Sequence, residues 1–177
     1  IYNKYKDEKT CGVLEDDRSY GVKKIATPIG IIAGIVPTTN PTSTAMFKTL
    51  ISLKTRNAII FSPHPRSKKT TFETVRLMRE ALEREGAPAD ILQCITNPSV
   101  AMTEELMKRV DLVIATGGRP MVKAAYSSGT PAYGSGAGNA TMIYDETTNI
   151  DEATYNTMLS KTSDYGSGCS ADGNIII

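Results

Sequence analysis

Residues 32–65 read IAGIVPTTNPTSTAMFKTLISLKTRNAIIFSPHP, and this stretch decides the fold. An apolar run ends at Val36, a helical pattern follows over residues 41–54, and a second apolar run begins at Ala58. This order predicts a βαβ unit, whose two turns lie at one edge of a parallel sheet. Open α/β sheets bind their ligands at that edge, so the stretch predicts a nucleotide site.

The composition indicates one domain with an ordinary core, since 40% of the 177 residues are apolar. The charges of 20 basic and 19 acidic residues nearly cancel. The sequence has no basic stripe of the kind that would indicate nucleic-acid binding. The apolar runs are too short for a membrane span, and there is no signal-peptide pattern. Three scattered cysteines fit neither a disulfide framework nor a zinc site, so we expect a cytoplasmic protein without a metal. The missing initiator Met and the apolar end at 174–177 predict a fragment of a longer chain.

Helical and β-type patterns alternate along the sequence. The predicted strands are 22–27, 29–36, 58–61, 91–95, 112–115, 141–144 and 174–177, and the predicted helices are 41–54, 67–85, 100–109, 120–127 and 151–161. Asn40 is the expected N-cap of the first helix. The expected apolar stripe of that helix is Met46, Phe47, Leu50, Ile51 and Leu53. Such alternation predicts an α/β fold with a doubly wound parallel sheet.

Cys169 lies in the run YGSGCSA, among glycines and serines that leave room for a substrate. A cysteine acts as a nucleophile when it becomes a thiolate and its backbone can approach the reacting group. The alternative is ordinary burial, which is the commoner state of a free cysteine. Cys94, inside the apolar run ILQCI, is expected in the core, and the role of Cys11 stays open.

Four further features have both a structural and a functional interpretation. Asn40 before a proline is ordinary helix capping, which sequence chemistry favours, or its amide donates to a developing oxyanion. Gly117–Gly118, between a strand and a helix, could let a diphosphate approach the helix N-terminus. The stretch 134–138 is either a loop of close approach or a simple turn. His64, between two prolines, either covers an adenine ribose or forms a rigid surface turn.

Three runs resemble one family in order and in sequence. They are NKYKDEKTCGV, then GIVPTTNPTSTAMFKTLISLKTRNAIIFSPHPRSKK, then ATGGRPMVKAAYSSGTPAYGSGAGNA. Together they resemble the aldehyde dehydrogenase half of bifunctional aldehyde–alcohol dehydrogenases, which are CoA-acylating enzymes, and the likeness runs from about Asn3 to Cys169. The resemblance implies a Rossmann-like NAD-binding domain over 31–162, a lead-in with a β-hairpin over 1–30, and the start of a catalytic domain over 163–177.

The resemblance also implies the site residues. It assigns Cys169 as the nucleophile and Asn40 as the oxyanion donor. The remaining residues would follow the cofactor: Val36, Pro37, Thr38 and Thr39 on the nicotinamide side, Ser62, Pro63, His64 and Pro65 along the adenosine, and Thr116, Gly117, Gly118 and Val122 near the diphosphate and adenine.

The implied reaction interconverts acetaldehyde and acetyl-CoA. The Cys169 thiolate adds to the aldehyde, hydride passes to NAD, and CoA takes the acyl group from the resulting thioester. Hydrolytic members of the superfamily resemble ELGGK at the stretch matching 135–139, and the glutamate there activates water. Ser135 has no carboxylate to act as a general base, so transfer to CoA is expected. Iron is implied only for the alcohol dehydrogenase half.

Some positions depart from the family pattern, namely Ser163, Tyr165, 139–141 and 171–173. They keep open a non-catalytic assembly subunit, and a hydrolytic aldehyde dehydrogenase is the third hypothesis. The cations after His64, Arg66, Lys68 and Lys69, leave NADP open. The resemblance further implies a homo-oligomer, with a helical filament as one form.

Overall fold

The computed structural model describes residues 2–177, so residue 1 of the predicted lead-in lies outside the described residues. The chain divides into two compact units, one ending at Ser135 and the other beginning at Gly136. The domain limits predicted at residues 31 and 163 stay predictions.

The first unit contains seven strands and five helices among its described residues. In chain order they are α1 (Tyr2–Tyr5), β1 (Gly12–Asp17), β2 (Val22–Ala26), β3 (Ile31–Val36), α2 (Pro41–Lys54), β4 (Ala58–Pro63), α3 (Lys68–Arg84), β5 (Leu92–Cys94), α4 (Val100–Lys108), β6 (Leu112–Thr116), α5 (Arg119–Tyr126) and β7 (Ala132–Ser135). Strands β1 and β2 pair with each other as an antiparallel hairpin.

The second unit is smaller. It contains β8 (Ala140–Ile143), α6 (Ile150–Thr162) and β9 (Asp172–Ile176), with β8 and β9 paired in parallel. A 3-10 turn over Ser163–Gly166 connects α6 to the segment that carries Cys169.

Five parallel strands form the main sheet, in the order β5-β4-β3-β6-β7. β3 lies at the centre, paired with β4 over its whole length and with β6 over Ile32–Ile35. The chain winds outward from β3 in one direction through α2 and α3, and outward from β6 in the other direction through α5. The prediction of an α/β fold with a doubly wound parallel sheet is therefore confirmed.

Two apolar clusters cover the two faces of this sheet. One joins β3 and β4 to α2 and α3, with Phe61 fully buried inside it. The other joins β3 and β6 to α4 and α5, through Met107 and Ala125. Because neighbouring residues of a strand point to opposite faces, Ile32 and Ala33 belong to different clusters.

Two polar side chains hold the amino end of β3. Asn57 Oδ1 accepts the backbone N–H groups of Ile29 and Gly30, at 2.7 and 2.9 Å, and Asp111 Oδ2 accepts that of Ile31 at 2.8 Å. These bonds satisfy backbone donors at the point where the strand enters the sheet.

Helix α2 has the predicted bounds, but the prediction of its buried face is wrong. Met46 and Leu50, expected in the apolar stripe, are 45% and 40% exposed. The face that packs inward consists instead of Ala45, Lys48, Thr49 and Ser52. Three of these four side chains are small, which lets the helix lie close to the sheet and turns the larger apolar residues to its flanks.

Strand β7 is not predicted from the sequence, where 134–138 is interpreted as a loop or turn. Gly134 and Ser135 instead belong to β7, which pairs in parallel with β6 at the edge of the sheet. The run AYGS is too short, and its glycine too weak a strand former, for the pattern to reveal it. The glycine serves packing, since a Cβ at Gly134 would lie 2.6 Å from Val122 Cγ1.

Replacement of Gly34 by alanine tests the packing of the sheet centre. An added Cβ would lie 2.8 Å from two ring carbons of Phe61 and 2.9 Å from Ile59 Cδ1. We expect G34A to lower the free energy of unfolding by about 1–3 kcal/mol in urea titrations, because the buried neighbours must move. G118A is the control, since its Cβ would meet nothing closer than 3.7 Å. Equal stability of the two variants would contradict this account.

Candidate functional site

A cleft opens at the carboxyl ends of β3, β4 and β6, with a volume of about 230 Å³. We call it the strand-end cleft. Nine of the twelve residues predicted to bind the cofactor line it: Val36, Pro37, Ser62, Pro63, His64, Pro65, Thr116, Gly117 and Gly118. Thr38, Thr39 and Val122 are not among its lining residues. Residues from three separate parts of the chain thus meet where the sheet topology requires.

The wall of the strand-end cleft that follows β5 was not predicted from the sequence. Pro98, Ser99, Val100 and Thr103 line it, together with Ile35 of β3 and Met121 of α5. The signal was available, because β5 is a predicted parallel strand and the turn after it must reach the same edge of the sheet.

Hydrogen bonds hold that missed wall in place. Ser99 Oγ caps α4 by accepting the Met102 N–H at 3.1 Å. The hydroxyls of Ser62 and Thr103, both buried, share a hydrogen bond of 2.7 Å. The end of β4 is therefore tied to the first turns of α4.

His64 forms the predicted surface turn, and its contact with an adenine ribose stays a prediction. It is exposed, and its Nδ1 accepts the backbone N–H of Arg66 at 3.2 Å, which fixes the 3-10 turn over Pro65–Ser67. It is also a lining residue of the strand-end cleft. The turn is thus rigid and beside the cleft at once.

The glycine pair Gly117–Gly118 joins β6 to α5, with Gly118 at the N-cap position. An alanine Cβ at either position would meet no atom closer than 3.4 Å. Neighbouring side chains therefore do not require glycine here. Glycine leaves the cleft side of the turn open, which is compatible with close approach of a phosphate to the helix N-terminus.

Asn40 occupies the N-cap position of α2, but its side chain makes no capping hydrogen bond. The favoured structural interpretation, ordinary side-chain capping, is therefore wrong. Its backbone carbonyl accepts the Thr44 N–H at 3.2 Å, and the residue is exposed. The carboxamide is available to bind a ligand.

Lys48 is buried, at 2% exposure, on the inward face of α2. Its Nζ donates to the carbonyl oxygens of Ile35 at 2.6 Å and Ile114 at 2.8 Å. Burial lowers the pKa of Lys48 to about 7. Lys48 was not predicted from the sequence, because the apolar stripe assigned to α2 placed it on the exposed side of the helix.

Lys48 also borders a second cavity, of about 380 Å³, which shares Thr116 with the strand-end cleft. Its other lining residues are Ser43, Thr44, Phe47, Ile114, Ala115, Tyr133, Gly134 and Ser135. No carboxylate is among these residues. Ser135 therefore lines a cavity without an acidic side chain, and its match to the glutamate of hydrolytic members stays a prediction from the resemblance.

Cys169 lies in the second unit and is exposed. A turn surrounds it, closed by the Ala171 N–H donating to the Gly168 carbonyl at 3.1 Å. A Cβ at Gly138 would overlap the carbonyl oxygen of Cys169, so the end of the 134–138 stretch must stay glycine for this turn to fit. Asn40 belongs to the first unit, and the convergence of its amide with the Cys169 sulfur stays a prediction.

The other two cysteines lie in different settings. Cys94 is half-buried against the core cluster of β3 and β4, and burial raises the pKa of its thiol to about 11. It therefore remains a neutral thiol near neutral pH. Cys11 is also half-buried, with its Sγ 3.8 Å from the Lys54 carbonyl oxygen.

Residues 2–177 contain neither a metal-binding cluster nor a membrane-spanning helix. No group of three or more His, Cys, Asp or Glu side chains in this part of the chain could hold a metal ion. None of the helices described has both the length and the apolar character needed to cross a membrane.

Residues 3–177 match the model of the aldehyde dehydrogenase family. The chain is 55% identical over 179 residues to the bifunctional aldehyde-alcohol dehydrogenase of Escherichia coli, covering 100% of this chain and 20% of that protein. The acetylating aldehyde dehydrogenase of Geobacillus thermoglucosidasius superposes with a TM-score of 0.91 at 51% identity, over 99% of this chain and 39% of that one. A propionaldehyde dehydrogenase of Rhodopseudomonas palustris, solved with bound CoA and an acylated cysteine, gives a TM-score of 0.78 at 36% identity, over 84% and 34%.

The fold and the family match together establish the class: this chain belongs to the aldehyde dehydrogenase family. Within it, the similar proteins named above include a bifunctional aldehyde-alcohol dehydrogenase and an acetylating aldehyde dehydrogenase. The chain spans about a fifth of the length of the Escherichia coli relative.

Replacement of Lys48 by methionine should change how stability depends on pH. The pKa of Lys48 is about 7 in the folded chain and 10.5 is its ordinary value, so between these pH values the unfolded chain binds more protons. Wild-type stability should therefore rise with pH relative to K48M, by roughly 2–3 kcal/mol between about pH 7 and about pH 9. Urea unfolding at several pH values measures this difference.

The control for that measurement is K54M. Lys54 lies on the same helix, is half-buried and donates to the Lys6 carbonyl at 2.8 Å. The stability difference between K54M and wild type should change less over the same pH range than that of K48M, because Lys54 is less buried than Lys48. A flat difference for K48M as well would contradict a desolvated amine at position 48.

Proposed function

We propose that this chain is the cofactor-binding part of an NAD-dependent, CoA-acylating acetaldehyde dehydrogenase within a bifunctional aldehyde–alcohol dehydrogenase. The observation that carries the proposal is the strand-end cleft, where nine residues assigned by family resemblance line one cavity. The similarity to a bifunctional aldehyde-alcohol dehydrogenase and to an acetylating aldehyde dehydrogenase supports it.

The lining of the strand-end cleft suits a dinucleotide. Its walls combine apolar residues, such as Val36, Val100 and Met121, with four prolines, and these can hold an adenosine by contact. At the turn into α5, the backbone N–H groups of Gly118 and Arg119 are the donors that suit a diphosphate. The residue after them is Pro120, which has no N–H. No lining residue is acidic, so nothing there repels a phosphate. Bound NAD would accept the hydride that leaves the substrate.

The chain's own residues then have defined tasks. The Cys169 thiolate adds to the carbonyl carbon of the aldehyde and forms a carbon–sulfur bond. Once hydride has left that carbon, the adduct is a thioester. The Asn40 amide and the Cys169 backbone N–H hold the oxyanion of the adduct. The thiol of CoA attacks the thioester, takes the acyl group and releases Cys169. The acylated cysteine of the similar propionaldehyde dehydrogenase supports this assignment by analogy.

Ser135 favours CoA over water as the acyl acceptor. A hydroxyl cannot act as a general base near neutral pH, and the cavity that Ser135 faces is lined by no carboxylate. Water therefore attacks the thioester slowly, which leaves time for CoA to react. The hydrolytic alternative would need another base to replace the missing glutamate.

Other parts of the proposal follow from the family resemblance alone. They are self-association and a helical filament, and each stays a prediction. The cytoplasmic location, expected from the three scattered cysteines, also stays a prediction. NADP stays open as an alternative cofactor, because Arg66, Lys68 and Lys69 follow the strand-end cleft at its His64 side and could neutralise an additional phosphate.

Alkylation tests the nucleophile in the full-length protein. We expect C169S to reduce acetyl-CoA-dependent NADH oxidation by at least about a thousandfold, because the thioester cannot form. Iodoacetamide should abolish the activity of the wild type and modify Cys169 first. C94S is the matched control and should keep activity, since its thiol is half-buried and protonated. Undiminished turnover after complete modification of Cys169 would contradict its role, and absence of any turnover in the wild type would favour the assembly hypothesis.

The substitution Ser135→Glu tests the choice between CoA and water. A carboxylate at this position could activate water, so S135E should release acetate from acetaldehyde and NAD without CoA, at a rate at least about tenfold above wild type. S135A is the control and should behave as wild type, because neither side chain is a base. Equal CoA-independent acetate release by S135E and wild type would show that position 135 does not decide the acceptor.

A further inference from the structure

Lys48 joins the two strands between which the winding of the sheet reverses. Its Nζ lies 2.6 Å from the Ile35 carbonyl oxygen in β3 and 2.8 Å from the Ile114 carbonyl oxygen in β6. β3 and β6 are neighbours in the sheet, but α2 and α5, which follow them, pack in clusters on opposite faces. The two strand ends therefore diverge here into separate turns.

Both carbonyl groups stand directly before the wall of the strand-end cleft. Ile35 lines the cleft and leads into Val36 and Pro37, and Ile114 lies two residues before Thr116. A change in the separation of the strands at Ile35 and Ile114 would move both turns. The width of the strand-end cleft depends on that separation.

Stability alone does not account for an amine at this position. Among the described residues no carboxylate forms an ion pair with Lys48, and burial opposes its charged form. A buried ionisable group can often be replaced by an apolar residue of similar volume without loss of stability. Methionine would fill the same space, but it cannot donate to two carbonyl groups. Only the amine supplies hydrogen bonds that connect β3 to β6.

We propose that Lys48 is a positioning residue for cofactor binding, because its hydrogen bonds to the Ile35 and Ile114 carbonyls set the separation of the strand ends that form the strand-end cleft. The inference rests on the proposed function, in which this cleft holds the adenosine and diphosphate of NAD. Lys48 acts through the backbone of β3 and β6.

The test uses the full-length protein with K48M, K48R and K54M. NADH binding is measured by titration of its fluorescence, and steady-state kinetics separate KM from kcat. For K48M we expect the Kd and KM of NADH to rise about tenfold, because two buried hydrogen bonds that shape the site are lost. At saturating NADH, kcat should stay within about twofold of wild type, since the reacting groups are unchanged.

Two variants separate positioning from packing. K48R keeps donors for the two carbonyls, although its guanidinium is larger than the amine and always charged. It should therefore recover part of the NADH affinity, with a KM about threefold above wild type. K54M removes a lysine from the same helix without touching β3 or β6, and its NADH KM should not change. An equal loss of affinity in K48M and K48R would assign the effect to packing and overturn the proposal.

The remaining outcomes of this experiment separate the role of Lys48 from the proposed function. A folded K48M that binds NADH as wild type does would overturn the role of Lys48 and leave the proposed function intact. A wild-type protein that does not bind NADH would overturn both. Should K48M not fold, K48Q replaces it, because glutamine is shorter and can reach one carbonyl at most. A raised NADH Kd in folded K48Q then supports the proposal, and a wild-type Kd overturns it.

Discussion

The parallel pairing of β3 with β4 on one side and β6 on the other is the constraint on which the rest of the structure depends. A strand with neighbours on both sides and helices over both faces must be apolar throughout, and β3 is buried from its second residue to its last. Parallel pairing also brings the carboxyl ends of β3, β4 and β6 to one edge. The strand-end cleft is the space between the turns that follow these ends.

The lining of the cleft is neutral, and this has a chemical consequence. A dinucleotide carries its charge on the diphosphate, while its adenosine is largely apolar. In the proposed function, the backbone N–H groups of Gly118 and Arg119 can meet the diphosphate without a fixed cation. Proline and valine side chains can then pack on the adenosine. A cofactor bound this way can leave again after each turnover, because no buried ion pair has to be broken.

The order of elements was sufficient to predict the architecture and the sheet edge at which a cleft forms. The residues assigned to most of the strand-end cleft came from the family resemblance. The alternation of patterns predicts the parallel sheet, and the sheet then requires the turns after Val36, Pro63 and Thr116 to meet. The sequence was not sufficient for the buried face of α2, because hydropathy assigns apolar residues inward, whereas close helix–sheet contact here selects small ones. Lys48 was missed for that reason.

Other features depend on packing that no local pattern encodes. β7 is an edge strand of four residues. Its Gly134 is required because a side chain there would collide with Val122, which belongs to a different element, α5. Asn40 has the residue type and the position of a helix cap, yet its side chain makes no cap hydrogen bond. A sequence cannot tell these two states of an asparagine apart, because the residue type and spacing are the same in both.

The hydrogen bonds of Asn57 and Asp111 at the amino end of β3 separate strand alignment from the turns at the other end of the sheet. These bonds hold the backbone N–H groups of Ile29, Gly30 and Ile31 and so align β3. They lie at the end of the sheet remote from the strand-end cleft. Turns at the opposite end can then vary in length and residue type without shifting the alignment. Related chains could diverge in what the strand-end cleft binds by altering those turns alone, while the paired strands beneath them stay unchanged.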